Sequence, residues 1–329
     1  LCGDNARMRE VRDIIEQVAD TDITVLVRGD SGTGKELVAR TLFQLSGRRG
    51  QPFVKVNCAA LPSELLESEL FGFEKGAFTG AQKRKLGKFE FANHGTIFLD
   101  EISEMHPSLQ AKLLQVLQDG EFSRLGGESD VHVDTRIIAA TNRNLEEAVR
   151  DGSFREDLYY RLNVVTIQIP PLRDRADSIP LLVDFFLQKN NEQYKKDLKQ
   201  LTPETMNLFM NYHWPGNVRE LENMVRRMVV LGNEQAVIEE IADVRSAARL
   251  PEEPNESLDL EALGADFSNA DGIDLKRISR RAAQLAEKRV IERVLHQTRW
   301  NRKEAAERLQ ISYKALLYKM KENGLSEGR

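Results

Sequence analysis

The chain has 329 residues, 41% of them hydrophobic and 30% charged, and a formal net charge of -5. That length suits two or three domains, each able to bury a core. No apolar run approaches the roughly 20 residues of a membrane span, no secretory leader is read, and Cys2 and Cys58 form no disulfide framework, so a reducing, cytoplasmic setting is expected.

In chain order, ITVLVRG (23–29) is a short β-branched run that stops at glycine, the pattern of a buried strand. PFVKVNC (52–58), GTIFLDE (95–101), TRIIAATN (135–142) and VVTIQI (164–169) repeat it. Helical periodicity fills the gaps in KELVARTLFQL (35–45) and in PSLQAKLLQVLQDG (107–120), the latter punctuated by proline and glycine. Such alternation predicts an α/β domain with a mostly parallel sheet, helices on both faces and ligands at the carboxyl ends of the strands. From residue 177 the strands stop. Amphipathic helices are expected in SIPLLVDFFLQKNNEQY, TPETMNLFMNY and NVRELENMVRRMVVL. The expected boundaries are 1–172 for the α/β core, 173–248 for a helical subdomain, 249–275 for an acidic linker and 276–329 for a basic terminal domain.

GDSGTGKE, Gly29, Asp30, Ser31, Gly32, Thr33, Gly34, Lys35 and Glu36, follows the first strand and opens a helix. This is the spacing and context of a phosphate-binding loop, with backbone N–H groups and a helix start converging on phosphate oxygens and Lys35 reaching the β- and γ-phosphates. Glu36 stands where the general motif has the Ser or Thr that binds Mg²⁺. The metal must lean elsewhere, and Asp100, at the tip of the GTIFLDE strand, is the candidate. Glu101 beside it can orient the attacking water. Together they predict nucleotide hydrolysis.

FEKGAFTGAQKRK (73–85) mounts Phe78 between glycines, in Gly76, Ala77, Phe78, Thr79, Gly80 and Ala81. Residue chemistry leaves two readings equal: a mobile tip presenting Phe78 and Thr79, or a tight turn with Phe78 folded onto its domain.

Residues 250–275 hold 8 acidic and no basic side chains, which reads as a solvated linker. Residues 276–329 carry 15 Lys and Arg against 6 Asp and Glu, a net +9 that leaves -14 for the rest of the chain. A basic end on an acidic body predicts nucleic acid contact there. RWNRKEAAERLQISYKALLYKMKENGL reads as helix, turn, helix, with Asn301 and Ser312 as caps and Leu316 and Met320 inward. Ser312, Tyr313, Lys314, Tyr318 and Lys319 are the candidates for contact with double-stranded DNA. A plain dimerisation hairpin shares the pattern. The preceding helix is a candidate dimer interface, which predicts a palindromic site.

GDSGTGKE, ELFGFEKGAFTGA, GTIFLDE, FREDLYYRLNV and WPGNVREL, in this order, closely resemble the NtrC-type activators of sigma-54 RNA polymerase, AAA+ proteins of bacteria. The resemblance covers about residues 1–231 for a P-loop ATPase core with its helical lid, and 276–325 for a Fis-like helix-turn-helix domain. It implies that Glu36 is compatible with ATP and Mg²⁺, that Asn57 is a switch for catalytic Glu101, and that Asn142 senses the γ-phosphate. It implies that Arg155 and Arg161 are fingers donated to a neighbour's ATP and that Arg219 is a lid sensor. It further implies a hexameric ring, enhancer-like DNA, and a GAFTGA loop that engages sigma-54, favouring the presented tip over the folded turn. Plainer roles stand beside these: Asn57 as a turn cap, Arg155 and Arg161 as partners of Glu156 and Asp157, Arg219 as a partner of Glu220 or Glu222. The resemblance also leaves room for a preceding regulatory domain such as a phosphorylated receiver. A regulator with a dead ATPase would have lost Glu101, the fingers or GAFTGA; a general unfoldase or clamp loader would not need GAFTGA.

Overall fold

The computed structural model describes residues 5–235 apart from 199, then 238 and 241, and from the C-terminal part 284, 287, 288, 290–292, 294, 295, 298 and 300–322. The chain divides into two compact units, Leu1–Val244 and Arg245–Arg329. The stretch expected as a linker, 249–275, lies outside the described residues.

The first unit opens with α1 (Ala6–Val18), which the sequence reading did not identify. Asn5 caps it through Arg7 N–H at 2.9 Å, and Met8, Val11, Ile15 and Val18 form its buried stripe. Its carboxyl end is closed by buried Arg136, which donates to the Val18 carbonyl at 2.8 Å and also to that of Ala19. The sheet then follows from β1 (Val25–Arg28), β2 (Phe53–Asn57), β5 (Thr96–Asp100), β8 (Arg136–Thr141) and β9 (Val165–Gln168). Its order is β2-β5-β8-β1-β9, and every pairing is parallel. All five expected strands are present.

Successive strand residues feed opposite cores, as the two-residue strand period requires. Leu26, Ile97, Leu99, Ile137 and Ala139 pack in one cluster with α5 (Pro107–Asp119). Val25, Val27, Phe98, Ile138 and Ala140 pack in the other with α1 and α2 (Lys35–Gln44). Burial on both faces explains why the strands read as unbroken apolar runs.

Between β2 and β5 the chain forms α3 (Ser63–Phe71), a short ribbon of β3 (Gly72–Phe73) and β4 (Lys85–Leu86), and α4 (Lys88–Phe91). A second ribbon, β6 (Glu121–Ser123) with β7 (Asp130–His132), lies between α5 and β8. Next come α6 (Leu145–Arg150) and α7 (Glu156–Leu162).

After β9 the chain is helical: a 3-10 segment (Leu172–Ser178), α8 (Ile179–Tyr194), α9 (Pro203–Met210) and α10 (Asn217–Leu231), around a core with buried Trp214. Asn217 joins this bundle to the phosphate loop. Its amide donates to the Ser31 carbonyl at 2.9 Å and accepts from Leu172 N–H at 2.8 Å. It is fully buried and left-handed, with φ 53°. Asn217→Ala should lower stability by about 3 kcal/mol, from two lost buried partners and the strain of alanine at positive φ. Urea denaturation measures it, and a loss under about 1 kcal/mol would show the clamp to be idle.

In the second unit, α11 (Arg302–Arg308) and α12 (Tyr313–Glu322) flank a turn in which Gln310 has φ 54°. Asn301 accepts from Glu304 N–H at 3.4 Å, and Ser312 from Ala315 N–H at 3.2 Å. Leu316 and Met320 are buried together with Ile291 and Leu295.

Candidate active site

The phosphate loop leaves β1 through Gly29, whose φ of 157° is essentially extended, and bends at Gly32 and Gly34, with φ of 78° and 106°. Gly34 caps α2, so the helix's first N–H groups open onto the loop. A Cβ at Gly32 would collide with the Gly216 carbonyl oxygen, and Arg219 N–H bonds the Gly32 carbonyl at 3.3 Å. The lid is thus seated directly on the loop. Between them lies a cleft of about 690 Å³. Ser31 to Glu36, Asp100, Glu101 and Arg219 line its polar end, while Met8, Ile169, Leu182 and Phe186 line an apolar end.

Lys35 is buried, and its ammonium donates to the Gly29 carbonyl at 3.0 Å and the Asp30 carbonyl at 3.4 Å. Glu101 Oε1 is 3.6 Å away. Glu101 takes a left-handed backbone, φ 54° and ψ 51°, costing roughly 1–2 kcal/mol for an L residue. Strain of this kind persists where the surroundings enforce it, commonly at functional sites. Glu101 Oε2 and Asp100 Oδ1 are buried without a hydrogen-bond partner. Two orphaned carboxylate oxygens beside a phosphate loop are hard donors that fit a divalent cation such as Mg²⁺. Glu36 is engaged elsewhere: it accepts from Lys55 at 2.5 Å and Arg40 at 2.9 Å, and the Lys55 bond holds its carboxyl below the usual range. Burial, reinforced by Asp100 and Glu101, pushes the Cys58 thiol up to about 12, so it is no thiolate at neutral pH.

The other expected site residues are more dispersed. Asn57 ends β2 opposite Asp100, but its amide oxygen accepts from Ala59 N–H at 2.9 Å, the plain turn cap, and it makes no hydrogen bond to Glu101. Asn142 follows β8 and is exposed, outside the cleft lining. Arg155 is exposed and paired with Asp157 through bonds of 3.0 and 2.6 Å. Arg161 donates twice to the Leu117 carbonyl, at 3.1 and 2.9 Å, in a hollow it shares with Ile23 and Thr24, near the amino end of β1. Neither arginine lines the cleft. Asp30 turns outward to Arg173 at 3.3 Å.

The GAFTGA segment combines both readings of it. Gly76 N–H bonds the Ala81 carbonyl at 2.9 Å, closing a turn with Gly76 and Gly80 at φ of 89° and 107°. Phe78 leans on Phe73, with ring centroids 4.9 Å apart, yet stays 47% exposed. Ala77 packs so tightly on Gly126 of the β6–β7 connection that a Cβ there would meet it at 2.8 Å. Buried Arg124 braces the base, donating to Glu74 at 3.0 Å and to both oxygens of Glu90 at 3.0 and 2.5 Å.

On α12, Tyr313, Lys314 and Tyr318 are exposed, and Ser312 spends its hydroxyl on the cap. Lys319 is half-buried and forms an ion pair with Glu287. Position 319 lies three residues past buried Leu316, on the flank of the inward stripe, where a flexible lysine finds an acidic neighbour.

Sequence reading missed Asn217 and Arg175. Arg175 is buried and donates to the Thr33 carbonyl at 2.9 Å, holding the phosphate loop from the 3-10 segment. Asn217 lies within the WPGNVREL run, while no motif singled out Arg175.

Residues 1–168 match the sigma-54 interaction domain, 173–257 the AAA+ ATPase lid domain, and 283–322 the bacterial regulatory protein, Fis family. Regulatory protein AtoC of Escherichia coli (strain K12) is 47% identical over 94% of this chain and 64% of its own length. The DNA-binding transcriptional regulator NtrC of Rhizobium meliloti (strain 1021) is 42% identical over 99% of this chain and 70% of its own. Among solved structures, NtrX from Brucella abortus in complex with ADP superposes with a TM-score of 0.70 at 35% identity, covering 99% of this chain and 70% of that one. NtrX in complex with ATP gives 0.68. The chain spans between about two fifths and seven tenths of the length of these and the other curated relatives.

Burial and the adjacent Glu101 raise the Asp100 carboxyl above the ordinary range. Such a group penalises folding as pH climbs from its ordinary value of 3.8, fully so above the raised value. Nucleotide-free Asp100→Asn should therefore be more stable than the parent at neutral pH, an advantage that fades as pH falls towards 3.8. A pH-independent difference in unfolding would contradict this. By its three matched domains, its cleft and its GAFTGA turn, this chain belongs to the NtrC-type family of sigma-54-dependent AAA+ activators.

Proposed function

We propose that this chain is an ATPase that remodels sigma-54 RNA polymerase at promoters in the bacterial cytoplasm, through its GAFTGA loop. The observation that carries the reading is the convergence of buried Lys35, Asp100 and Glu101 in one cleft, with two carboxylate oxygens left without partners. ATP would seat its phosphates on the N–H groups of Gly32 to Lys35, and Lys35 would exchange its two carbonyl partners for phosphate oxygens. Asp100 would hold Mg²⁺, which supplies charge neutralisation on the phosphates. Glu101 orients the attacking water, and Asn57 would exchange its Ala59 bond for Glu101 in the waiting state. Asn142 and Arg219 report the phosphate to the core and the lid.

Arg155 and Arg161 lie outside their own cleft, so their catalytic use requires a neighbouring copy in a ring, a hexamer as in the family. A finger supplied in trans is worth about 10³–10⁵ in rate. Movement of Gly76 to Ala81 off Gly126 would expose Phe78 and Thr79 fully to sigma-54. The terminal unit, beyond a linker at 249–275, would place Tyr313, Lys314 and Tyr318 on palindromic, enhancer-like DNA.

Three outcomes test this. ATPase activity per chain should rise with chain concentration and saturate; a constant specific activity argues against the ring. Glu101→Ala should bind ATP at near-unchanged affinity while turnover falls at least about 100-fold. Phe78→Ala should hydrolyse ATP within about twofold of the parent yet fail to activate a sigma-54 promoter in a reconstituted assay. Surviving activation would remove the loop from the mechanism.

A further inference from the structure

Arg28, the last residue of β1, immediately precedes Gly29. Its carbonyl accepts from Ile169 N–H at 2.8 Å, and its side chain runs to Glu146 of α6, where Nη1 meets Oε1 at 2.8 Å. The same Glu146 oxygen accepts from the Tyr159 hydroxyl of α7 at 2.9 Å. Tyr159 Oη in turn accepts from the Asn163 amide at 2.9 Å, and Asn163 Oδ1 accepts from the hydroxyl of Thr166 in β9 at 2.5 Å. Thr166 lies in register with Leu26 of β1. A closed polar circuit therefore links the strand that feeds the phosphate loop with the helix flanked by Arg155 and carrying Arg161.

The circuit is not built as a structural brace. Arg48 in the same unit uses Nε, Nη1 and Nη2 on Asp22, Asp134 and two carbonyls. Arg124 likewise uses all three of its nitrogens. Arg28 is 19% exposed, yet its Nε and Nη2 are buried with no partner. An arginine whose contacts to Glu146 and Tyr159 leave Nε and Nη2 in reserve can shift its grip when its backbone moves. Glu146 Oε1 is the junction, since a displacement of Arg28 changes the field and the geometry seen by Tyr159.

We propose that Arg28, Glu146 and Tyr159 are positioning residues: they set the attitude of α7 according to the occupancy of the phosphate loop, so that a subunit holding nucleotide presents its arginines to the next one. This rests on the reading that Arg155 and Arg161 act in trans. A shift of α7 by about 1 Å at the neighbour's phosphate is enough to change turnover by up to two orders of magnitude.

The test uses the full chain. Tyr159→Phe and, separately, Glu146→Gln should lower kcat about 10-fold with KM for ATP within about twofold, because the variant's own cleft is intact. Each is then mixed, before nucleotide is added, with Glu101→Gln chains, which cannot turn over but carry unaltered α7 helices. Turnover per Tyr159→Phe chain should climb back towards the parent value, as its sites receive fingers from Glu101→Gln neighbours. Arg155→Ala mixed with Glu101→Gln is the control for action in trans. Recovery in the control without recovery for Tyr159→Phe or Glu146→Gln overturns the circuit's role and leaves the finger reading standing. No recovery in the control overturns both. Parent-like kcat in either variant also refutes the proposal, and Glu146→Gln decides alone if Tyr159→Phe does not fold.

Discussion

A buried ammonium needs negative charge or carbonyl oxygens within a few ångströms, and the first unit is arranged around meeting that need for Lys35. The Gly29 and Asp30 carbonyls accept from it, while Glu101 stands at 3.6 Å. The arrangement satisfies the lysine but leaves one oxygen each of Asp100 and Glu101 buried and unpaired. Unpaired buried oxygens cost on the order of 1–3 kcal/mol apiece. Bound triphosphate with its cation would relieve that cost, so the fold is poised for its ligand by its own electrostatic deficit.

The lid and the 3-10 segment are tied to this loop by specific bonds. The lid reaches it through Asn217 on Ser31 and Arg219 on Gly32, and the 3-10 segment through Arg175 on Thr33. Each of these partners is a loop carbonyl, which leaves the loop's N–H groups free of the lid. The GAFTGA turn rests on Gly126 and on Phe73. Arg124 anchors both ends of the turn through Glu74 and Glu90.

Much of this was legible in the sequence because it is local. Buried parallel strands are apolar on both faces, so all five declared themselves as runs, and the phosphate loop and the Asp100–Glu101 pair are fixed by spacing. The two ribbons are only two or three residues per strand, too short for any period to show. Helix α1 has a clear apolar stripe from Met8 to Val18, but it precedes the first strand and carries no motif. Asn217, Arg175 and Arg28 act through partners distant in the chain, which spacing does not encode. The ion pair of Lys319 with Glu287 was not legible, because helix period assigns a face and says nothing of a partner distant in the chain. The amide oxygen of Asn57 caps the local turn through Ala59 N–H, a bond between near neighbours in the chain.

The central claim is that the state of the phosphate site governs the loop at Phe78. The most direct measurement is capture of purified sigma-54 by this chain in ADP–aluminium fluoride, set against ADP alone and no nucleotide. The account predicts a stable complex only with the transition-state mimic. Equal capture in all three conditions, or none in any despite active ATP turnover, would contradict it.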